Sequence, residues 1–370
     1  MDRPVIALVL AGGVGTRLYP AARPDRPKQF LSLGGDRSLL ERTVARAEFA
    51  DHVAVVTRER YADGVRERVP EADVLVEPVP KDTGPALVYA THRLGERFEN
   101  PVVVALPSDH YVGDADAFRT AMGTGARVAA RTGALVTFGV EPTRPETGYG
   151  YLEPGADRGD HRVLASFHEK PDRETAERYL DAGHLWNAGT FAWTTDALLD
   201  AARGSPLAPL VAALDRGDPA AGFERVPAAS VDHAIMERAA DAVVVPVAYP
   251  WDDLGTWDAV GRIGEADGDG NVALGTDPTL VDATDDVVAT DGTHVSLVGV
   301  EGVAVVAWDD RVLVVPRSDA GRVREVVARL RAEGRFDRRE GADGTGGPGD
   351  DGTDGDRRED DADRPDDRTA

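Results

Sequence analysis

The stretch from Val5 to Phe30 constrains the fold of this chain more than any other. Val5–Leu10 is an unbroken apolar run, which is typical of a strand buried on both faces of a parallel sheet. It continues into AGGVGTR, where small residues let the backbone approach a ligand and Arg17 supplies a fixed positive charge. Three prolines then prevent a regular helix, so we expect a loop that ends at Lys28. A buried strand, a glycine-rich loop and two cations together indicate a site for a phosphate-bearing ligand.

The charge balance excludes one class of partner. The chain has 66 acidic and 42 basic residues, for a net charge of −24, and such a surface repels a phosphate polymer, so we expect no nucleic-acid partner. Aspartate is abundant, and only three of the basic residues are lysines, namely Lys28, Lys81 and Lys170. Adaptation to high salt explains this bias, and a GC-rich codon bias is the alternative. Either origin makes the lysines informative, because each one can mark a place where a point charge is needed.

Length and composition indicate an intracellular protein. The 370 residues are enough for one large or two ordinary domains. The absence of cysteine excludes disulfides and thiolate catalysis. The N-terminus enters a strand without a signal-type segment, and no apolar run approaches the roughly 20 residues of a membrane span. We therefore expect a cytoplasmic location and no membrane partner, and a homodimer is left open.

The pattern along the chain predicts two folded units and a tail. Strands alternate with helices over residues 1–266, and several strands are apolar throughout, which favours an α/β sheet with helices on both faces. Residues 267–336 contain short valine-rich runs broken by turns, followed by an amphipathic helix from Asp319 to Glu333, so they predict a small β unit with a terminal helix. Residues 337–370 carry a net charge of −7 and almost no apolar side chain, and we expect a disordered acidic tail there.

Two polar segments follow predicted buried strands, which places both at the carboxyl ends of strands in an α/β sheet. Gly12–Arg17 follows the first strand, and Ser108–His110 follows a later one, Val102–Leu106. Ligands bind at the carboxyl ends of such strands. The first segment lacks the lysine of a Walker A loop, and the third glycine of a dinucleotide fingerprint is replaced by Leu18. An ordinary glycine-rich turn would remain an equal alternative if the loop stood alone.

Further motifs connect the loop to a known family. The pattern LAGGxGTRL followed by PKQF resembles the signature of the sugar nucleotidyltransferases, also called nucleotide-sugar pyrophosphorylases. The resemblance extends over about residues 5 to 336, and within the family PKQF, PSDH and the LWN tract resemble the mannose-1-phosphate guanylyltransferases. The other segments that recur in family order are EPVPKDTGPA from Glu77, GYGY from Gly148, the EKP of Glu169–Pro171, LWNAG from Leu185 and the tract from Trp251 to Trp257.

The resemblance implies a Rossmann-like nucleotidyltransferase domain of the GT-A type, with a mixed sheet, followed by a short left-handed β-helix. It implies the single-function form, because no room is left for the isomerase domain of the bifunctional enzymes. The implied reaction converts GTP and mannose 1-phosphate into GDP-mannose and pyrophosphate, through attack of the sugar phosphate on the α-phosphorus. Both reactants are anionic, so catalysis depends on positioning and on charge neutralisation by cations and a divalent metal such as Mg²⁺.

The resemblance also assigns roles to individual residues. Asp109 and Asp253 would bind the metal, with Asp252 as the rival for the second position. The catalytic residues would be Arg17, Lys28, Asp109 and Lys170, of which Arg17 and Lys28 hold the departing phosphates and Lys170 holds the sugar phosphate. The remaining substrate-binding residues would be Leu10, Ala11, Gly12, Gly13, Gly15, Thr16, Lys81, Asp82, Thr83, Pro107, Ser108, Gly150, Glu169 and Asn187.

Three alternatives stay open at this point. The same chemistry on another hexose 1-phosphate or another nucleotide is one, because Lys81 and Asp82 stand where the family often has Arg and Asn. A non-catalytic homologue that binds a nucleotide sugar and regulates a partner is the second, although it would be expected to lose the metal and phosphate residues. A dehydrogenase is the weakest of the three.

Overall fold

The structure is a computed structural model that describes residues 3–337, and these residues belong to one compact unit. The predicted acidic tail lies outside the described residues apart from Asp337. The predicted boundary between residues 266 and 267 stays a prediction. The strands up to residue 252 are β1 (Val5–Leu10), β2 (His52–Arg58), β3 (Asp73–Glu77), β4 (Val102–Pro107), β5 (Tyr111–Val112), β6 (Val136–Val140), β7 (Tyr151–Asp157), β8 (Arg162–His168), β9 (Leu185–Thr194), β10 (Val243–Val247) and β11 (Trp251–Asp252).

A nine-stranded sheet organises the first 250 residues, in the order β3-β2-β1-β4-β9-β6-β10-β8-β7. The four strands from β3 to β4 are parallel, and β9 runs antiparallel to both of its neighbours β4 and β6. The sheet is therefore mixed, as the family resemblance implied.

Helices cover both faces of this sheet. Successive residues of a strand point to opposite faces, and in β1 Ala7 and Val9 join one buried apolar cluster while Ile6 and Leu8 join another. The helices are α1 (Leu39–Ala45), α2 (Glu59–Arg68), α3 (Thr83–Gly95), α4 (Ala115–Thr132), α5 (Arg173–Asp181), α6 (Thr195–Arg203), α7 (Ala208–Leu214), α8 (Pro219–Arg225), α9 (Val231–Ala234), α10 (Trp257–Ile263) and α11 (Val323–Ala332). None of the helices within residues 3–337 is both long enough and apolar enough to cross a bilayer.

Local signals in the sequence place some helix ends correctly and others wrongly. The Ser-x-x-Glu spacing of Ser38 and Glu41 predicts a capping box, and these residues form one at the start of α1. Thr83 before Pro85 predicts a cap at Thr83, but Asp82 is the cap of α3, because its carboxylate accepts a hydrogen bond from the amide of Thr83. The helix expected from Asp319 begins later, since Arg317–Arg322 forms a 3-10 turn before α11.

The chain after α10 forms the predicted small β unit. Its strands are β12 (Val272–Leu274), β13 (Thr279–Val281), β14 (Val287–Thr290), β15 (Ser296–Val298), β16 (Val303–Trp308) and β17 (Arg311–Pro316). Parallel ladders join β12 to β14 and β14 to β16, and a separate parallel ladder joins β13 to β15. Such stacking of successive strands in register is typical of a β-helix.

The β unit shares a buried core with the opening loop. Val287 and Val306 from the strands and Val327 from α11 lie in one apolar cluster with Leu18 and Leu31, which flank the proline-rich segment. The loop between β1 and Lys28 therefore lies between the sheet and the β unit. This packing fixes the path of a segment that has only two short 3-10 turns, Thr16–Leu18 and Lys28–Phe30, of its own.

Candidate active site

The glycine-rich loop is shaped to bring Lys28 against its own backbone. Gly15 has φ of +74°, and a Cβ added there would lie 2.3 Å from the Cβ of Lys28. The amide of Lys28 donates a hydrogen bond to the carbonyl of Val14 at 2.9 Å. Only glycine combines this backbone conformation with this close approach. The loop therefore folds back on itself, and the side chain of Lys28 packs directly against the backbone of Gly15.

Two buried polar side chains fix the first residue of the loop. The carbonyl of Ala11 accepts hydrogen bonds from the side-chain amide of Gln29 and from the hydroxyl of Thr57, both at 2.8 Å. Among the residues described, the amides of Gly12 and Gly13 donate no hydrogen bond. These two N–H groups are thus available to an anionic ligand, which is the usual role of a glycine-rich turn after a strand.

Lys28 joins three segments that are distant in the sequence. Its side chain is only 6% exposed, and its ammonium donates to Oδ2 of Asp109 at 2.7 Å and to the carbonyl of Asp253 at 2.7 Å. Burial is the largest single effect and opposes ionisation of Asp109, but the charge and hydrogen bond of Lys28, together with smaller contributions from His110 and a backbone hydrogen bond, lower the pKa of that carboxyl. The structure therefore brings the predicted cation Lys28 and both predicted metal ligands together.

The two neighbouring aspartates after β10 have different surroundings. Asp252 is buried and pairs with Arg262 through Nη2 at 2.7 Å and Nε at 3.2 Å. Asp253 instead accepts hydrogen bonds from the hydroxyl of Tyr149 at 3.1 Å and from the amide of Gly255 at 2.8 Å. The ion pair with Arg262 satisfies the charge of Asp252, whereas no ion pair within residues 3–337 involves the carboxylate of Asp253. Asp253 is accordingly the better candidate for a metal.

The donor set fits a hard divalent cation. The bonds that hold the two carboxylates to other residues use Oδ2 of Asp109 and Oδ1 of Asp253, which leaves one oxygen of each for a metal. Two carboxylates with room for waters and for phosphate oxygens are the ligands that Mg²⁺ prefers. The residues present therefore suit Mg²⁺ at this place.

A cavity of about 340 Å³ opens at the carboxyl ends of β1, β3 and β4. Ten predicted site residues line it, namely Leu10, Gly12, Gly13, Gly15, Lys28, Asp82, Thr83, Pro107, Ser108 and Asp109. The position agrees with the strand-end rule for α/β sheets. The predicted residues that do not line it are Ala11, Thr16, Arg17, Lys81, Gly150, Glu169, Lys170, Asn187 and Asp253.

Arg17 and Lys81 differ in what they contact. Arg17 is exposed, and within residues 3–337 it makes no hydrogen bond or ion pair, so its guanidinium is available to a ligand. The ammonium of Lys81 donates to the carbonyl of Val226 at 2.8 Å, and the carbonyl of Lys81 accepts from Ala229. Lys81 therefore attaches the loop before α3 to the loop before α9.

A second group of predicted residues lies where β7 begins. The amide of Asn187 donates to the carbonyl of Gly150 at 2.8 Å, and a Cβ on Gly150 would come within 2.8 Å of Oε2 of Glu169. Lys170 has φ of +43°, pairs with Glu169 and is 62% exposed. The structure thus brings Gly150, Glu169, Lys170 and Asn187 together where β7 begins between β8 and β9.

Asp232, which the sequence analysis missed, connects the two groups. It lines the cavity, and its Oδ1 accepts a hydrogen bond from Nδ2 of Asn187 at 2.8 Å. Burial and, to a smaller extent, the charge of Glu169 raise the pKa of Asp232, the Asn187 bond opposes the shift, and the net pKa is about 6. No local pattern marks this residue, because it acts through a partner that is 45 residues away in the chain.

Glu77 is the second residue that the sequence analysis did not place in the site. It is the last residue of β3, is 7% exposed and lines the cavity opposite Gly12, with Oε1 3.1 Å from the Cβ that Gly12 lacks. Its Oε2 is buried and has no hydrogen-bond partner among the described residues. Burial raises the pKa of Glu77 to about 7, because Arg58, at 3.7 Å, is too far away to offset it. The strand-end rule that selected Gly12 and Ser108 would also have selected Glu77.

Three more residues around the cavity went unassigned. Gln29 holds the loop, as described above, and Gly189 has φ of +62°, with 3.5 Å between the Cβ that it lacks and the ring of His110. His110 accepts a hydrogen bond from the indole of Trp251 at 3.3 Å. Burial lowers the pKa of His110 to about 4, so this imidazole is neutral near pH 7.

Comparisons with known proteins agree with this geometry. The family model described as nucleotidyl transferase matches residues 6–269, and the one described as MannoseP isomerase/GMP-like beta-helix domain matches residues 275–330. The chain therefore belongs to the nucleotidyl transferase family, and its C-terminal part carries the associated β-helix domain.

Individual relatives cover most of the chain. Xanthan biosynthesis protein XanB of Xanthomonas campestris pv. campestris is 39% identical over 90% of this chain and 74% of its own length. Mannose-1-phosphate guanylyltransferase of Escherichia coli K12 is 35% identical over 90% of this chain and 74% of its own. The crystal structure of mannose-1-phosphate geranyltransferase from Thermus thermophilus is 36% identical and superposes with a TM-score of 0.83, covering 89% of this chain and 99% of that one. The predicted fold class is thereby confirmed.

Proposed function

We propose that the protein is a mannose-1-phosphate guanylyltransferase that makes GDP-mannose and pyrophosphate from GTP and mannose 1-phosphate. An oxygen of the sugar phosphate forms a bond to the α-phosphorus of GTP. The bond from that phosphorus to the oxygen that bridges to the β-phosphorus breaks, and pyrophosphate leaves. The family and the names of the relatives support this reaction. The single observation that carries it is the buried Lys28 ammonium held between Asp109 and the carbonyl of Asp253.

The phosphate groups of GTP would lie over the opening loop. The free amides of Gly12 and Gly13 face the cavity, and Lys28 and Arg17 supply two positive charges near it. Charge on the departing pyrophosphate grows during the reaction, and donors that are already in place stabilise it without reorganisation. Lys28 is in place, whereas Arg17 is exposed and would be ordered by the nucleotide.

Asp109 and Asp253 would hold Mg²⁺, which when bound neutralises charge on the phosphates and orients them for in-line attack. Lys28 donates to Asp109 and to the backbone of Asp253, so it fixes the separation of the two segments. Tyr149 orients the carboxylate of Asp253 from the other side. Asp252 would position this segment through Arg262 without binding the metal.

Glu77 would recognise the base. Its carboxylate is buried, faces the cavity and has an oxygen without a partner among the described residues, so binding of a group with two adjacent N–H donors would satisfy it. The Watson–Crick edge of guanine offers such a pair, its N1–H and its exocyclic amine, whereas adenine and uracil offer at most one donor there. A site that leaves a buried acceptor unpaired discriminates strongly against the wrong base.

The residues at the start of β7 would hold mannose 1-phosphate. Lys170 supplies the positive charge for the sugar phosphate. Glu169 accepts hydrogen bonds from sugar hydroxyls, and Asn187 donates to them. Gly150 lets the sugar approach the backbone. Asp232 connects Asn187 to the nucleotide end. The reaction draws on GTP and a sugar phosphate, which supports a cytoplasmic location.

A substrate panel tests this proposal. Purified full-length protein is assayed for pyrophosphate release with Mg²⁺, four nucleoside triphosphates and several hexose 1-phosphates, at low and at high KCl. We expect GTP with mannose 1-phosphate to react fastest, and an acidic, lysine-poor surface predicts more activity at high KCl. Preference for UTP or dTTP would show that another nucleotide is the substrate.

A regulatory homologue without catalysis is the alternative of another class, and one variant separates the two. Asp109→Asn keeps the shape of the side chain and removes the charge that binds the metal. We expect pyrophosphate release to fall by about 10³-fold while GDP-mannose binding, measured by calorimetry, persists. Absence of pyrophosphate release from the unmodified protein, with GDP-mannose still bound, would favour the regulatory homologue.

A further inference from the structure

A cluster of two histidines and one glutamate lies on the sheet away from the GTP cavity. Glu153, His168 and His184 each offer one ligand atom, and these atoms lie within 4.8 Å of one another. Among residues 3–337 it is the only group of three or more such side chains arranged in this way. None of the three lines the cavity, and none has a part in the proposed reaction.

Strand register brings these three residues to one face. In the β7–β8 hairpin Glu153 lies opposite Ser166, and His168 is two residues beyond Ser166 on the same face. On the other side of β7, Leu152 pairs with Leu185, so the same antiparallel register places His184 beside Glu153. The cluster therefore draws one residue from each of three neighbouring segments of a rigid sheet.

The surroundings hold the side chains in place. Ser166 Oγ lies 2.6 Å from Oε2 of Glu153 and 2.8 Å from Nε2 of His168. The ring of Tyr179 stacks on His168 at 4.7 Å and on His184 at 4.5 Å between centroids. These contacts leave the second carboxylate oxygen of Glu153 and one ring nitrogen of His168 for another ligand. Partners of this kind, which orient the ligating side chains, are typical of metal sites.

A second observation also points to a missing ligand. His184 is 8% exposed, and its Nδ1 is buried without a hydrogen-bond partner among the described residues. An unpaired ring nitrogen in a protein interior costs free energy, and a bond to a metal removes that cost. The only anionic member of the cluster, Glu153, is exposed at the open side, where an ion and a fourth ligand from water could enter.

The geometry points to a binding site for one zinc-class divalent cation at Glu153, His168 and His184. Two imidazoles and a carboxylate are a common ligand set for Zn²⁺, with water as the fourth ligand, whereas Mg²⁺ prefers oxygen ligands alone. With bonds of about 2.1 Å, ligand atoms around tetrahedral Zn²⁺ are roughly 3.4 Å apart, so small side-chain rotations would close the site. A bound ion would join β7 to β8 and to the segment before β9.

Zinc titration of the full chain tests this site. The purified protein is stripped of metal and titrated with ZnCl₂ by calorimetry, in excess Mg²⁺ so that carboxylate pairs such as Asp109 and Asp253 compete less for zinc. We expect one equivalent to bind, and Zn²⁺ to raise the melting temperature, because a ligand that binds only the folded chain stabilises it. Anomalous diffraction at the zinc edge is expected to show one peak between the three side chains.

Variants identify the ligands. Glu153→Gln and His168→Gln are each expected to weaken zinc binding at least tenfold, with His184→Gln as a third variant, and the exposed Glu153 can be changed without loss of folding. His294, an exposed histidine in the β unit, gives the matched control His294→Gln, which is expected to bind zinc like the unchanged protein. Unchanged affinity in both Glu153→Gln and His168→Gln, or an anomalous peak at Asp109 and Asp253 alone, would overturn the assignment.

Discussion

The two lysines assigned to substrate phosphates are held in opposite ways. Lys28 is 6% exposed, lies beneath a glycine and makes two bonds of 2.7 Å to separate segments. Lys170 is 62% exposed, has a positive φ and pairs only with the adjacent Glu169 among the described residues. The first lysine is preorganised before substrate arrives, and the second gains its position when the sugar phosphate binds.

The difference in burial between Lys28 and Lys170 matches the chemistry of the two phosphate groups that they would bind. Charge develops on the departing pyrophosphate, and a donor that is already fixed stabilises it without a reorganisation cost. The sugar phosphate carries its charge before and after the reaction, so a mobile lysine at its site mainly supplies binding energy. We therefore expect substitutions of the buried lysine to lower kcat and substitutions of the exposed lysine to raise KM.

Lys28→Met gives the largest expected effect. Methionine fills nearly the same volume but cannot bind phosphate or hold Asp109, so kcat/KM for GTP is expected to fall about 10³-fold, mostly through kcat. Steady-state kinetics of pyrophosphate release measure this. Arg26→Met, on the same loop, removes a partly exposed ion pair with Asp309 and is expected to change kcat/KM by less than about threefold.

If Lys28→Met raised KM and left kcat unchanged, the proposed difference between the two lysines would be wrong. Lys28→Arg gives a stricter test, because the planar guanidinium keeps the positive charge but cannot take the place of the compact ammonium next to Gly15. Its activity is expected to stay well below that of the unchanged protein. Full activity of this arginine variant would mean that charge alone, without the position, is enough.

Gly15→Ala tests preorganisation without touching a charge. The left-handed φ costs roughly 1–2 kcal/mol for alanine, and the added Cβ would meet Lys28 Cβ at 2.3 Å, so Lys28 must move. A displacement of about 1 Å in a positioning group lowers activity by roughly 10²-fold. Thermal unfolding and kcat measure the two effects.

Gly13→Ala is the stability control in the same loop. Gly13 has an ordinary φ, and no atom lies within 4 Å of the Cβ it would gain, so the free energy of unfolding is expected to change by less than about 0.5 kcal/mol. Equal destabilisation by the two alanines would show that the contact between Gly15 and Lys28 contributes nothing specific.

The sequence predicted the parts of the site that follow strands and missed those made by packing. Gly12 and Ser108 were found because apolar runs end just before their segments, and strand ends meet at one edge of the sheet, whereas Lys28 was found as the cation that ends the proline-rich loop. Glu77 obeys the same rule, because it is the last residue of β3, but it was not selected. Asp232 had no such signal, since its role depends on Asn187 and on a loop held by Lys81. Local pattern fixes an element, but the juxtaposition of distant loops depends on tertiary packing.

Lys170→Met is expected to have a smaller and different effect from Lys28→Met. Loss of a charged hydrogen bond to the sugar phosphate is worth about 1.5–3 kcal/mol, so KM for mannose 1-phosphate should rise roughly 10- to 100-fold with little change in kcat. Initial rates over a range of mannose 1-phosphate concentrations separate the two constants. Arg173→Ala, a nearby exposed residue that pairs with Glu177, is expected to leave both constants unchanged. A fall in kcat alone would place Lys170 with Lys28 as a preorganised group.

The smallest effect concerns pH and the base end of the cavity. Glu77 has a pKa of about 7, so its carboxylate, which would accept from guanine, is mostly protonated below that pH. KM for GTP is therefore expected to rise roughly tenfold from pH 8 to pH 6, because the ionised fraction falls by about that factor. Glu77→Gln cannot titrate, so its KM should be higher at pH 8 and should lose this part of the pH dependence.

Protein stability gives an independent check on the same carboxyl. The pKa of Glu77 is raised in the folded state, from an ordinary value of 4.5 to about 7, so between these values the folded chain holds a proton that the unfolded chain has released. Its contribution to stability is full below pH 4.5 and is lost as the pH rises to about 7, by an amount on the order of 3 kcal/mol. The difference in unfolding free energy between Glu77→Gln and the unchanged protein, measured by urea titration from pH 5 to 8, should therefore shift in favour of the variant as the pH rises. A difference that stays constant over this range would mean that Glu77 is already ionised, and the pH dependence of KM would then need another origin.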